Sequence, residues 1–175
     1  TKELIDAVWN QIASFAGYAF SKGHSASYAV ESYQSLYLKA HFPLEYMTAT
    51  VNNFGGYYRT EIYVHEARKY GAHIEPPCIQ KGFHPCALYG KRLILGFVLV
   101  EGLEAEVVRH VLEERTAYGA FKDFEDFLNR VRVPLDQLAL LIRIGAFRSF
   151  GISRKQLLWR AHYRLYKAPV KSVQE

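Results

Sequence analysis

The sequence predicts a mainly α-helical chain interrupted by one short β-hairpin. Three observations carry this expectation. Apolar residues recur at helical spacing over most of the length. Breakers and capping residues sit at the ends of those runs. A lone Pro76-Pro77 pair is followed by two short stretches around Gly90-Lys91.

In order, Leu4, Ile5, Val8, Trp9, Ile12 and Phe15 give a helix over 2–16, which Gly17 is expected to break. A second helix is expected to open near Ser25 or Ser27 and run to Ala40. Its apolar stripe would be Ala29, Tyr33, Leu36, Tyr37 and Ala40, with Tyr33 and Tyr37 in the core. Pro43 suits the first turn of a third helix ending near Asn52, and Asn53-Phe54-Gly55-Gly56 reads as a turn. Thr60 is the expected N-cap of a fourth helix ending at Gly71.

Adjacent prolines exclude a helix at 76–77. Cys86–Tyr89 and Arg92–Val98 then read as hairpin strands. Helices are expected over 105–117, 123–131, 134–144 and 153–166, the last opened by a Ser153/Gln156 capping box. The organisation expected is 1–73 helical, 74–100 linker and hairpin, 101–168 helical and basic, and 169–175 tail.

At 175 residues, half of them hydrophobic, the chain can bury one substantial core or two smaller ones. No apolar run reaches the roughly 18 residues of a membrane span. The opening Thr-Lys-Glu-Leu-Ile-Asp does not resemble a signal peptide, and both ends read as lying inside a longer protein. Two cysteines make no disulfide framework, and a reducing cytoplasm is the expected home.

The net charge of +5 is unevenly spread. Residues 130–171 hold ten Lys/Arg (130, 132, 143, 148, 154, 155, 160, 164, 167, 171) against Asp136 alone. Such a segment suits a polyanion. It suits equally a solvated face whose acidic complement lies elsewhere in a longer chain.

The sharpest chemical motif is Ser21-Lys22-Gly23-His24-Ser25. Placed just before a helix start, it would offer an anion free N–H groups, the helix dipole and two cations. A solvated basic loop capping a helix fits the same residues.

Other constellations are weaker. His73, Cys78, His84 and Cys86 are four possible zinc ligands without a recognised spacing, and cysteines buried in a strand region are the commoner case. Gln137–Leu141 resembles the short peptide by which replication proteins dock on a sliding clamp, but it falls in an amphipathic helix and is expected in the core. Asp123 and Asp126 read as surface residues. No Ser-His-acid or Cys-His order suggests an independent hydrolase.

One resemblance joins these signals. Phe15–Tyr28 and Ser32-Tyr33-Gln34 through Leu38-Lys39-Ala40-His41-Phe42-Pro43 to Met47 resemble the fingers of the C-family DNA polymerases, the bacterial replicative α subunits. Ser21 stands where the family has Asn, and Gly23 where it has Ser. Gly102-Leu103-Glu104, Gly119–Arg130 and Leu140–Phe147 resemble the family's helix-hairpin-helix region, so the resemblance spans residues 1 to about 160.

It implies distal fingers, a hairpin and helix-hairpin-helix-like helices from a DNA-directed DNA polymerase. Lys22, His24, Ser21 and Ser25 would contact the incoming dNTP. Tyr28 would pack beneath, and Tyr18 and Phe20 would face the base pair or the core. Lys39, Arg109, Arg115, Arg148, Arg154, Lys155 and Arg160 would contact template-primer DNA. Glu104 would set a negative charge where the first hairpin's phosphate should come. Mg2+ would be held by palm carboxylates outside this chain, so the segment alone is expected to be inactive. The sliding clamp and other replisome subunits would be met through the parent. The alternative is a non-catalytic DNA- or protein-interaction module with no nucleotide site.

Overall fold

The computed structural model describes residues 1–19 and 22–166, with side chains described for 1–14 and 23–164. It divides into two compact units, Thr1–Pro43 and Leu44 onward.

The first unit holds two long helices, α1 (Lys2–Ala19) and α2 (Lys22–His41). α1 runs through Gly17 instead of stopping there. A single glycine costs a helix only about 1 kcal/mol against alanine, and its good helix-forming neighbours outweigh that. α2 opens at Lys22, earlier than expected, so Ser25 and Ser27 are helical residues and not caps. Ser27 Oγ donates back to the Gly23 carbonyl at 3.0 Å, the way a serine inside a helix satisfies its hydroxyl. The expected core stripe of α2 is also corrected: Tyr33, Leu36 and Tyr37 are 72%, 66% and 50% exposed. The α1 stripe of Leu4, Ile5, Val8, Trp9 and Ile12 is exposed as well.

The second unit begins with α3 (Pro43–Asn52) and α4 (Thr60–Lys69). Arg59, not Thr60, occupies the N-cap of α4, and its side chain makes no capping bond. Three short strands follow: β1 (His73–Glu75), β2 (Ala87–Tyr89) and β3 (Arg92–Ile94), in sheet order β1-β3-β2. The β2-β3 hairpin pairs antiparallel, Leu88 against Leu93. β1 pairs parallel to β3, Ile74 against Leu93, an element the sequence did not announce. Three residues beside two prolines are too few to show alternation. β3 stops short of Val98 because Gly96 packs against backbone. A Cβ there would lie 2.3 Å from the Pro85 carbonyl carbon, and a 3₁₀ turn, Phe97–Leu99, follows.

The remaining helices are α5 (Ala105–Tyr118), α6 (Phe124–Arg130), α7 (Leu135–Arg143) and α8 (Arg154–Tyr166). The α8 capping box forms as expected. Ser153 N donates to Gln156 Oε1 at 3.3 Å, and Gln156 N donates to Ser153 Oγ at 3.3 Å.

This unit buries two apolar clusters. Met47, Val51, Tyr63, Ala67, Cys86 and Leu93 join α3 and α4 to the sheet. A larger cluster unites α5 to α8 around Phe124, Phe127 and Phe147. Phe147 meets Phe124 at 5.1 Å and Phe127 at 4.9 Å, both edge to face, the geometry the ring quadrupoles favour. Among the described residues no helix is long and apolar enough to cross a membrane.

Candidate nucleic-acid interface

One amide of α7 fastens the Gly102–Glu104 turn that precedes α5. Gln137 is buried on α7. Its Oε1 accepts from Glu104 N at 2.9 Å, and its Nε2 donates to the Gly102 carbonyl at 3.1 Å. Leu103 N donates to the Val100 carbonyl at 3.2 Å. The N–H groups of Leu103 and Glu104 are therefore used internally, and the Glu104 side chain makes no cap for α5. Leu138 and Leu141 are buried beside Gln137, so the clamp-like peptide belongs to the core.

The second hairpin follows α7. Ile144, Gly145 and Ala146 donate to Leu140, Ile142 and Leu141 carbonyls, and a 3₁₀ turn, Arg148–Phe150, leads to the Ser153 cap. Gly145 has φ +77, and a Cβ there would sit 3.2 Å from an Arg154 guanidinium nitrogen. The positive φ calls for glycine. Gly145, Arg148, Ser153 and Arg154 line one side of a cleft of about 300 Å³.

The expected DNA-contacting cations divide sharply. Arg148 donates to the Pro77 carbonyl at 2.7 Å and to the Pro76 carbonyl at 2.6 Å. Arg115 donates to the Ile79 carbonyl at 2.9 Å and the Gly82 carbonyl at 2.7 Å, and lies 5.8 Å from the Phe83 ring centre. Burial pulls its pKa below the ordinary arginine value. Arg109 is held by Glu113 at 2.6 Å and by Glu106. Hydrogen bonds to these two carboxylates raise its pKa. Arg148 and Arg115 thus clamp backbone, and Arg109 is neutralised within its own helix.

Arg154, Lys155 and Arg160 are exposed on α8, and among the described residues their side chains have no hydrogen-bond or ion-pair partner. The rest of α8 carries no acid either; Arg164 near its end is paired with Glu125 at 3.8 Å and donates to Asn129 at 2.6 Å, so the open charge is that of Arg154, Lys155 and Arg160.

In the first unit, His24 meets the Tyr28 ring edge-on at 4.2 Å, Ser25 is half-buried, and Lys39 is half-buried near the end of α2. Tyr28 is 56% exposed. Ser21 and the side chains of Lys22, Tyr18 and Phe20 lie outside the described residues. The α2 start at Lys22 puts Gly23 and His24 in the first turn, where backbone N–H groups have no helical acceptor.

Among the described residues the acidic side chains build no metal site. Asp123 caps α6 by accepting from Asp126 N at 2.8 Å. Asp126 accepts from Lys122 N at 2.9 Å and from Arg130 at 3.2 Å. The Lys122 N–H bond holds its carboxyl below the usual range. Among the described residues no three His, Cys, Asp or Glu side chains converge as metal ligands. Cys86 accepts from Gly96 N at 3.2 Å, and burial pushes its thiol pKa up, away from the thiolate a metal would need.

Residues 71–157 match the family described as helix-hairpin-helix motif. The chain is 36% identical over 157 residues to the DNA polymerase III subunit alpha of Mycobacterium tuberculosis, covering 87% of this chain and 13% of that protein. It is 37% identical to the same subunit of Deinococcus radiodurans (86% and 12%) and 31% identical to the error-prone DNA polymerase of Mycobacterium bovis (91% and 15%). The chain thus spans about an eighth of the length of the curated relatives it matches. Along the region these matches cover, this chain belongs to the DNA polymerase III α-subunit family, to which the error-prone polymerase is also similar.

Proposed function

We propose that this chain is a DNA-handling segment of a DNA-directed DNA polymerase acting in replication, contacting template-primer DNA through α8 and positioning the incoming dNTP through the start of α2. The observation that carries the DNA half is the contrast among arginines. Arg109, Arg115 and Arg148 are engaged internally, while among the described residues Arg154, Lys155 and Arg160 are not. Exposed cations without partners release counterions on meeting phosphates, which gives sequence-independent affinity. Lys39 on α2 would add a further backbone contact in the parent.

The nucleotide half is supported by the first turn of α2, where N–H groups and His24 suit a triphosphate. Ser25 would supply a hydroxyl there, with Lys22 and Ser21 completing the site. Magnesium, which the reading implies for the parent, does not fit the carboxylates present here, and no step through it is derived. On this reading the isolated chain binds DNA without extending a primer, and its contacts with other replisome subunits run through the parent.

Fluorescence anisotropy with labelled primer-template at several salt concentrations tests the DNA half. Binding should weaken steeply with salt, and Lys155→Ala with Arg160→Ala should lower the log-log slope by about 2. Absence of binding at low salt would make α8 a contact surface inside the parent and end the DNA reading. For the nucleotide half, His24→Ala or Lys22→Ala in the full-length enzyme should raise the apparent KM for dNTP. Unchanged nucleotide kinetics would favour an interaction module with no nucleotide site.

A further inference from the structure

The outward face of α8 carries more than charge. Leu157 and Ala161 bury its inner side. On the other side Lys155, Trp159 and Tyr163 follow at intervals of four, so they line one face, with Gln156 and Arg160 beside them. The Trp159 and Tyr163 rings are stacked, with centroids 5.3 Å apart and planes only 10° from parallel. Trp159 is 67% exposed and Tyr163 51%. The buried rings around Phe147 meet edge-on instead. The phenol covers part of the indole, and so much remaining exposure leaves a wide aromatic surface open to solvent.

The surroundings of this surface select its partner. An apolar protein surface would cover the indole but strip water from Lys155 and Arg160 without replacing it. A single strand of nucleic acid answers both needs, with a base for the ring and phosphates for the cations. A duplex offers phosphates but keeps its base faces stacked inside. We propose that Trp159 and Tyr163 form a stacking platform for an unpaired base of single-stranded DNA, flanked by phosphate contacts from Lys155 and Arg160. This rests on the reading of α8 as a DNA surface and adds a distinct, base-dependent term to it.

The test uses the full 175-residue chain carrying Trp9→Phe, which leaves Trp159 as its only indole. Three probes are titrated: a short single-stranded oligonucleotide, the same strand with its bases replaced by abasic sites, and the corresponding duplex. The single strand should quench Trp159 emission, and the abasic strand should bind without quenching. Trp159→Ala should weaken single-strand binding about tenfold or more. It should leave the abasic and duplex affinities and every salt slope unchanged, because no cation is lost. Trp159→Phe should recover part of the loss.

Equal affinity of Trp159→Ala and the parent for the single strand overturns the platform while α8 remains a DNA surface. So does an equal loss on all three probes. An indole that is already shielded and not quenched, as when another part of the chain covers it, overturns it too. If none of the three probes binds at low salt, the DNA reading of α8 fails and the platform falls with it.

Discussion

Two regions of this molecule start from the same signal and end differently. α1 and α7 both show apolar residues at helical spacing. On α7 the stripe is buried, with Leu138, Leu141 and Ile142 at or below 1% exposure. On α1 it faces outward, with Leu4, Ile5 and Trp9 all above 60%. Periodicity says which residues share a face. It does not say whether this chain supplies what covers that face. α5 to α8 close around one another, whereas among the described residues nothing encloses the stripes of α1 and α2.

The largest effect that tests this contrast comes from the aromatic centre. Phe127→Ala should cost the second unit about 3–5 kcal/mol in urea unfolding, because its ring packs edge-on against Phe147 and Phe121 with no exposed surface. Trp9→Ala, an equally drastic truncation on α1, should move the same transition by less than about 0.5 kcal/mol. A large loss from Trp9→Ala would mean that the two units stabilise each other.

A smaller effect separates the two kinds of arginine. Arg148→Ala removes donors from the Pro76 and Pro77 carbonyls and should cost about 2–3 kcal/mol in the same measurement, while leaving the DNA salt slope unchanged. Lys155→Ala should do the reverse, with stability within about 0.5 kcal/mol and a shallower slope.

The smallest effect is electrostatic. The folded-state pKa of Asp126 lies below its ordinary value, first through the Lys122 N–H and then through Arg130. Its contribution is therefore complete above the unfolded carboxylate range near about pH 4, and is lost as the pH falls through that range and below. Asp126→Asn should lower stability slightly at neutral pH, and the difference should vanish as the pH falls below the carboxylate range, so the acid limb flattens. A loss that persists undiminished at low pH would contradict the assigned cause.

Much of the second unit was legible. The bounds of α3 matched the Pro43 and Asn52 signals, the hairpin turned at Gly90-Lys91, and the Ser153/Gln156 box opened α8. These features depend on residues within a few positions of one another, which is what a local reading weighs.

The hidden features depend on distant partners. β1 exists because β3 lies beside it. Asn52 exchanges two hydrogen bonds with the Cys86 backbone, and Gln80 does the same with Phe121. Together with Gln137 these amides act as short pieces of strand edge, and nothing in their neighbourhoods announces it. At the candidate site the count of basic residues was readable, but their division into backbone clamps and open charges was not. Arg115 and Arg148 look like any other surface arginine until the carbonyls of a loop tens of residues away are brought to them.

The Arg148 clamp carries a consequence for the order of events in folding. It joins residues 71 and 72 positions apart, and Arg115 closes a loop of 36. The helices and the Gly90-Lys91 hairpin need only neighbours and can form early. Contacts of such long range come after the entropy of closing the loop has been met. The Pro76-Pro77 segment therefore stays unfastened until the second hairpin is built. During synthesis, everything between the two must leave the ribosome before the sheet's flank is secured.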